Sequence, residues 1–209
     1  MRKINFIKIG VIFSLLFFFC QNLSAQEFIL NDDKLIDDRA KEKINQIGAE
    51  TKSKLGVNIY IYAKSTLGLE ENIKTKDKID FIKNYENQLL SSLEKPYVLL
   101  SLSVEDTHVN LLFSDELKSV LDKNDILNGY VVPLLASKDK NTLFAKVSAA
   151  TLNGYAAIAD TIAESKNIKL ESSIGNAGKV SSTIWRVVMY TLIILGLLAY
   201  TYAILKKRK

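Results

Sequence analysis

The stretch that decides the fold is Tyr97–Phe113, YVLLSLSVEDTHVNLLF. It holds two runs rich in apolar side chains, YVLLSLSV and HVNLLF, with the polar residues EDT between them. Two such runs on either side of a short polar turn are typical of a β-hairpin. The sequence therefore predicts two strands that are adjacent and antiparallel.

The second run alternates between apolar and polar side chains. Because successive side chains of a strand point to opposite faces, we expect Val109, Leu111 and Phe113 to face the core. His108 and Asn110 then share the other face of the same strand.

Upstream of the hairpin the pattern predicts a helix, a strand and a second helix. Apolar residues recur at helical spacing from Leu35 to Leu55, and Val57–Ala63, VNIYIYA, alternates like a strand with one fully buried face. A second helix is predicted around Ile79–Leu93, and Pro96 ends it.

Downstream of the hairpin the pattern predicts two more helices. One covers about Asp115–Ala136 and is interrupted near Pro133, and the other covers about Thr142–Glu164 with a continuous apolar stripe. Strands that alternate with helices in this way predict an α/β fold. The expected architecture is a three-layer sandwich, in which helices cover both faces of a small central sheet.

The N-terminus has the layout of a secretory signal peptide, which we assign to residues 1–25. Three basic residues precede the apolar run IGVIFSLLFFF, and Ala25 is a small residue suited to cleavage. An uncleaved anchor helix is the alternative. Cys20 follows three phenylalanines rather than small residues, so lipidation is not expected, and the mature chain then has no cysteine for a disulfide.

The C-terminus predicts a membrane anchor. After the exported domain, 26–165, residues 166–182 gather Gly, Ser and Asn and are expected to form a linker. A transmembrane helix is predicted at 183–205, where 19 consecutive residues from Val187 are uncharged. The basic tail 206–209 predicts a cytoplasmic C-terminus. We therefore expect a single-pass protein of the bacterial inner membrane, in contact with lipid through this helix, with its domain in the periplasm.

The net charge of +5 does not describe the exported domain. Of the 28 basic residues, three lie in the signal segment and five are Arg186 and the tail, which leaves 20 against all 23 acidic residues. The domain with its linker therefore carries a charge of about −3, and nucleic acid is not an expected partner.

Several strings resemble the TPM-domain family, which includes a thylakoid acid phosphatase-like protein and many exported bacterial proteins. They span Phe28–Ala163 and read ILNDDKL, AETKSKLGVNIYIYA, YVLLSLSVEDTHVNLLF, SVLDKNDILNGYVVPLL and KNTLFAKVSAATLNGYAAIADTIA. Asp32 and Asp122 stand where the family has acidic residues. The resemblance implies an exported domain with a C-terminal membrane helix and, in some relatives, phosphatase or cation-binding activity.

The chain departs from the family at two glycine-rich turns. Ser91–Tyr97 replaces the glycine turn before the second family strand, and Phe113–Ser119 replaces a GYGLEG-like stretch. Glycine lets backbone N–H groups approach a ligand closely, and bulkier residues remove that geometry. The departures therefore argue against a catalytic site built on these loops.

His108 is the only histidine in the chain. It could serve as an acid-base residue with Asp115 or Glu116 as its partner, or it could be a strand residue beside the hairpin turn. Zinc is not expected, because there is no second histidine and no cysteine in the domain to complete a site.

Acidic residues are the other candidates. Asp32, Asp33, Asp37 and Asp38 form the densest acidic cluster, and Asp115, Glu116, Asp122 and Asp125 form a second group. Carboxylates suit Ca²⁺ or another divalent cation, so Asp32, Asp33, Asp115 and Asp122 are the predicted metal ligands. The alternative is helix capping, with Asp32 or Asp33 as the cap of the first helix and Asp115 as the cap of a later one.

Two functions follow from these observations. The first is a non-catalytic binding or assembly factor for membrane protein complexes, tethered beside its partners. The second is a divalent-cation-dependent, acid phosphatase-like enzyme.

Overall fold

The structure, a computed structural model, describes residues 28–69, 73–175 and 189–197. The elements in chain order are β1 Ile29–Asn31, α1 Asp38–Leu55, β2 Asn58–Lys64, α2 Thr75–Ser91, β3 Tyr97–Ser103, β4 His108–Phe113, α3 Lys123–Ile126, α4 Val132–Leu135 and α5 Leu143–Ser165. A 3₁₀ turn, Asp115–Leu117, follows β4, and a π-helical turn, Leu127–Val131, joins α3 to α4.

The four strands form one sheet in the order β1-β2-β3-β4. β1, β2 and β3 are parallel, whereas β4 runs antiparallel to β3. The predicted hairpin is confirmed, with Ser103 opposite His108 and Val98 opposite Phe113. β1 was not among the predicted strands, because three residues are too few to show an alternating pattern.

Side chains from the two faces of the sheet enter two different cores. One core lies against α1 and α5 and is mainly aliphatic, with Ile59, Ile61 and Leu100 among its fully buried members. The other lies against α2 and includes Tyr60 and Tyr62. Helices therefore cover both faces, and the predicted α/β sandwich of three layers is confirmed.

The two crossover connections have opposite hands. The crossovers from β1 to β2 and from β2 to β3 both move in the same direction across the sheet. Their helices, α1 and α2, pack on opposite faces. One of the two crossovers is therefore left-handed, which is rare among parallel strands.

α1 begins later than the sequence predicts. The helix starts at Asp38, and the cap is Asp37, whose carboxylate accepts a hydrogen bond from the Ala40 amide at 2.9 Å. The prediction that Asp32 or Asp33 caps this helix is wrong. Asp33 and Lys34 have φ values of 42° and 59°, so the chain turns sharply there before the helix begins.

The single helix predicted over 115–136 is replaced by several short pieces. Asp115 lies in the 3₁₀ turn, and helical structure begins again only at Lys123, where the Asp122 carboxylate caps α3. The π-helical turn ends at Val131, two residues before Pro133, which lacks an N–H for the i−4 hydrogen bond. The predicted disturbance near Pro133 is therefore present as a π-helical turn.

α5 is the long helix that the apolar stripe predicts. Thr142 caps it, with its hydroxyl accepting a hydrogen bond from the Ala145 amide at 3.2 Å. Gly154 allows the helix to approach the sheet, because a Cβ atom there would lie 2.6 Å from Val131 Cγ2 and 3.1 Å from Leu100 Cδ2.

The predicted signal peptide, 1–25, and basic tail, 206–209, lie outside the described residues. Of the predicted transmembrane segment, 183–205, only 189–197 is described, and it is helical. In the described ranges, no helix has both the length and the apolar character needed to cross a membrane.

Candidate functional site

The candidate site lies at the carboxyl edge of the sheet, defined as the edge where β1, β2 and β3 end. The connections that leave β1 and β2 lead to helices on opposite faces. In α/β folds such a divergence opens a crevice outside the carboxyl ends of the strands, where ligands commonly bind. The opposite edge, where these strands begin, is the amino edge.

Asp32 and Asp33 lie at this crevice, directly after β1. The Asp33 carboxylate accepts a hydrogen bond from the Ser65 amide at 3.0 Å and so joins the ends of β1 and β2. The Asp32 carboxylate contacts the Lys41 ammonium at 2.5 Å. Burial raises the pKa of Asp32, but the hydrogen bond from Lys41 and the Lys34 amide outweigh it, so the net pKa lies below the ordinary value.

Asp115 and Asp122 lie beside β4, at the far side of the sheet. Asp115 follows the end of β4 at the amino edge, is almost fully exposed, and pairs with Lys118 at 2.7 Å. The Asp122 carboxylate accepts hydrogen bonds from the amides of Asn124 and Asp125 at 2.7 and 3.2 Å. The capping role thus belongs to Asp122.

The structure does not bring the four predicted metal ligands together. β1 and β4 are the outer strands, so about 14 Å of sheet separates the Asp32–Asp33 pair from the other two acids. In the described part of the chain, no group of three or more His, Cys, Asp or Glu side chains is arranged to hold a metal. Cation binding by these acidic residues stays a prediction.

Asp106 was not predicted from the sequence, yet its hydrogen bonds connect several segments at the carboxyl edge. This buried carboxylate accepts hydrogen bonds from the Leu67 amide at 2.7 Å and the Ser103 hydroxyl at 2.5 Å. Lys78 of α2 donates to the backbone carbonyl of Asp106 at 2.8 Å. Asp106 therefore ties the loop after β2 and helix α2 to the hairpin turn.

Burial raises the pKa of Asp106, but the hydrogen bonds from Ser103 and Leu67 outweigh it and hold the net pKa below the ordinary value. An acid in a hairpin turn is common, so the sequence carries only a weak signal for this role.

His108 is a strand residue, as one of the two sequence interpretations holds. Its side chain lies on the α2 face, where Nε2 is 2.9 Å from Glu86 Oε1. The other carboxylate oxygen of Glu86 accepts from Asn110 Nδ2 at 2.6 Å, and Lys123 Nζ reaches Asn110 Oδ1. The partner of His108 is thus Glu86 rather than Asp115 or Glu116.

The sequence carried a usable signal for Glu86. This residue is only 5% exposed although it is acidic. It stands four residues after Ile82, on the stripe by which α2 packs on the sheet. A charged residue on an apolar stripe predicts a buried polar partner on the facing strand.

An apolar cleft of about 290 Å³ opens beside the hairpin at the carboxyl edge. Its lining comes from the end of β3 and start of β4 on one side and from α4 and the start of α5 on the other: Leu102, Ser103, Val104, Thr107, His108, Val109, Val132, Leu135, Ala136 and Leu143. Leu143 is 51% exposed at its mouth, and the adjacent Phe144 is 44% exposed. We call this feature the hairpin cleft.

The amino edge is closed by the segment that follows α5. The Glu50 carboxylate of α1 accepts hydrogen bonds from the amides of Glu171 and Ser172 at 2.9 and 2.7 Å, and Lys54 Nζ lies 2.6 Å from it. Burial raises the pKa of Glu50, but the contacts with Lys54, Ser172 and Glu171 lower it to about 2. We call this arrangement the Glu50 clamp.

The segment held by this clamp belongs to the predicted linker, 166–182. Leu170 is 5% exposed, and Lys166 donates to the Leu55 carbonyl at 2.7 Å. The described part of the segment therefore packs on the domain at the amino edge. Residues 176–182 lie outside the described ranges.

Comparison with solved structures identifies a shared fold. The N-terminal domain of a protein from P. gingivalis, solved by solution NMR, matches with a TM-score of 0.51 and 12% identity over 71% of this chain and 90% of that chain. This likeness concerns the fold alone and supports the TPM-like fold that the sequence resemblance implies.

No family model and no curated protein matches the chain. Membership of the TPM family therefore stays a prediction.

Proposed function

We propose that the domain is a non-catalytic binding module that holds partner proteins beside the membrane to which the C-terminal helix tethers it. The observation that carries the proposal is the hairpin cleft, an apolar opening whose lining includes Leu143, a leucine that is 51% exposed. Exposed apolar surface at a preformed cleft is typical of an interaction site.

The position of the hairpin cleft also supports the proposal. The Glu50 clamp holds the segment after α5 at the amino edge, whereas the cleft opens at the carboxyl edge. The described part of this segment therefore leaves the cleft uncovered. Tethering keeps partners at a high effective concentration, so that weak contacts suffice.

Site-specific photocrosslinking in native membranes tests this function. A photoreactive amino acid at position 143 of the full chain should give adducts with other membrane proteins. The same amino acid at position 79 is the matched control, because Ile79 is 58% exposed but lies on α2. Adducts that are absent at 143, or identical at both positions, would exclude the cleft as the binding site.

A second candidate function is a divalent-cation-dependent phosphatase-like activity. The observation that favours it is the position of Asp32 and Asp33 at the crevice between β1 and β2. Purified full-length protein would be assayed with p-nitrophenyl phosphate in Mg²⁺, Ca²⁺ or EDTA. Turnover that needs the cation and disappears in Asp33→Ala, but not in Asp115→Ala, would establish this activity in place of simple binding.

A further inference from the structure

The outer side of β4 offers a short stretch of backbone to a partner next to the hairpin cleft. The Ser114 amide donates to the Tyr97 carbonyl at 3.0 Å, so the alternate residues of β4 from His108 onward direct their backbone groups toward β3. Val109 and Leu111 therefore direct their N–H and C=O groups outward. Val109 also lines the cleft.

The backbone groups of Val109 and Leu111 differ in whether a partner strand can bind them. The Leu111 amide is bonded to Asn110 Oδ1 at 3.0 Å, and Lys123 reaches the same oxygen. No backbone group within the described residues pairs with Val109 on its outer side. A partner strand can therefore pair at Val109 but is stopped at Leu111, which limits the contact to a few residues.

The lining of the hairpin cleft selects an apolar side chain. Leu102, Val104, Val132 and Leu135 are aliphatic, and no charged carboxylate or ammonium group lies among the lining residues. A volume of about 290 Å³ accommodates a large aliphatic or aromatic side chain. A charged side chain would lose its hydration there without gaining a partner.

The rim of the cleft is basic. The loop between Ala136 and Leu143, two lining residues, carries Lys138 and Lys140, both exposed. The charge of Asp139 is compensated by Lys146, whose Nζ lies 3.5 Å from its carboxylate, and the carboxylate also accepts from the Ser137 hydroxyl at 2.8 Å and the Asn141 amide at 3.0 Å. Against these two lysines the hairpin turn contributes one exposed acid, Glu105.

From these observations we propose that the hairpin cleft binds an extended peptide segment that carries a bulky apolar side chain flanked by acidic residues. The apolar side chain enters the cleft, the peptide backbone pairs with Val109, and the acidic flanks face Lys138 and Lys140. This is recognition by strand addition, in which backbone hydrogen bonds provide attachment and a pocket provides selectivity. The inference rests on the proposed binding function and names the chemistry of its partner.

Peptide binding to the full-length protein in nanodiscs tests the proposal. The probe is a fluorescein-labelled peptide Asp-Val-Phe-Val-Asp, compared with Lys-Val-Phe-Val-Lys and with an acidic peptide N-methylated at the phenylalanine amide. At low salt we expect the acidic peptide to bind about tenfold more tightly than the basic one. N-methylation should weaken binding about fivefold, because it removes a backbone donor.

Variants of the protein separate the contributions. Leu143→Asp should weaken acidic-peptide binding by about tenfold or more, since it places a charge at the apolar mouth. Ile79→Asp is the matched control and should change nothing. The double change Lys138→Glu and Lys140→Glu should reverse the preference toward the basic peptide.

Equal affinity for the acidic and basic peptides, or acidic-peptide binding that is unaffected by Leu143→Asp, would overturn this inference. Crosslinks at position 143 without any peptide preference would reject the partner chemistry and leave the binding function standing. Cleft-dependent peptide binding without crosslinks in membranes would reject the binding function instead.

Discussion

The two edges of the sheet use hydrogen-bonded carboxylates in opposite ways. At the amino edge the Glu50 clamp fixes the segment after α5 against α1 and closes the surface. At the carboxyl edge Asp106 fixes the loop after β2 to the hairpin turn, while the hairpin cleft beside it stays open. The same kind of group therefore seals one edge and supports an opening at the other.

This difference shows how a small domain keeps an apolar opening without losing order. Residues that line a cleft lack packing partners on one side, so their backbone must be held by other contacts. Asp106 supplies such contacts, because it bonds to Leu67, to Ser103 and, through its carbonyl, to Lys78. The comparison predicts that disturbing Asp106 costs more stability than disturbing Glu50.

The largest effect is expected for Asp106→Ala. This change leaves the buried Leu67 amide and Ser103 hydroxyl without their acceptor, and we expect a loss of about 2–4 kcal/mol in the free energy of unfolding. Urea unfolding, followed by the near-ultraviolet circular dichroism of the tyrosines, measures it. Asp115→Ala is the control, because that exposed acid contacts only Lys118 among the described residues. If both variants lost the same free energy of unfolding, the hydrogen bonds of Asp106 would not stabilise the fold as proposed.

The next effect is expected for Glu86→Ala, which lies between the two edges on α2. It leaves His108 and Asn110 without their shared acceptor, and we expect a loss of about 1–3 kcal/mol. A double-mutant cycle with His108→Ala measures the part of this loss that comes from the pair. Additive losses in the cycle would show that the two side chains contribute independently.

A smaller effect is expected for Glu50→Gln, about 1 kcal/mol, because the clamp joins a surface segment to a helix. Hydrogen exchange at the Glu171 and Ser172 amides reports it directly, and these amides should lose protection while β3 keeps its own. Protection that persists in Glu50→Gln would show that other contacts hold the segment.

The Glu50 clamp also predicts a pH dependence. The pKa of Glu50 is lowered from 4.5 to about 2 in the folded chain. Its contribution to stability is therefore complete above pH 4.5 and is lost as the pH falls from 4.5 toward 2. The difference between the natural protein and Glu50→Gln should shrink over this window, and a difference that stays constant would contradict the lowered pKa.

The smallest effect on stability is expected for Leu143→Ser. The side chain is half exposed, so we expect a change within about 0.5 kcal/mol, whereas binding of the acidic peptide at the cleft should weaken several-fold. A thermal unfolding scan beside the peptide-binding assay separates the two effects. A large loss of stability would show that Leu143 belongs to the core rather than to an interaction surface.

Much of the fold follows from patterns that are local in the chain. The alternation in VNIYIYA and in HVNLLF predicts strands because each packs one apolar face on the core, and the apolar stripe of α5 predicts the long helix. β1 was not predicted, because it has only three residues and forms a strand through its pairing with β2. The start of α1 was predicted too early. The turn before the helix depends on positive φ values at Asp33 and Lys34, and no glycine marks this turn in the sequence.

The candidate site follows much less from the sequence. The clustering of acids in the sequence predicts Asp32, Asp33, Asp115 and Asp122 as metal ligands, but the strand order places them in two separate groups. The hairpin cleft is formed by residues some thirty positions apart in the chain, and no local pattern marks it. Glu86 was not among the predicted residues either, although the sequence shows its charge on the apolar stripe of α2.

The Glu50 clamp has a mechanical consequence. A pull on the chain beyond Gly175 first meets the hydrogen bond between Ser173 and Asp160 of α5, and then the amides of Glu171 and Ser172, which pass the force through one carboxylate into α1. α1 spans Asp38–Leu55 and is bonded along its whole length, so it distributes the force over many hydrogen bonds. The hairpin cleft, at the other edge of the sheet, lies outside this path of force.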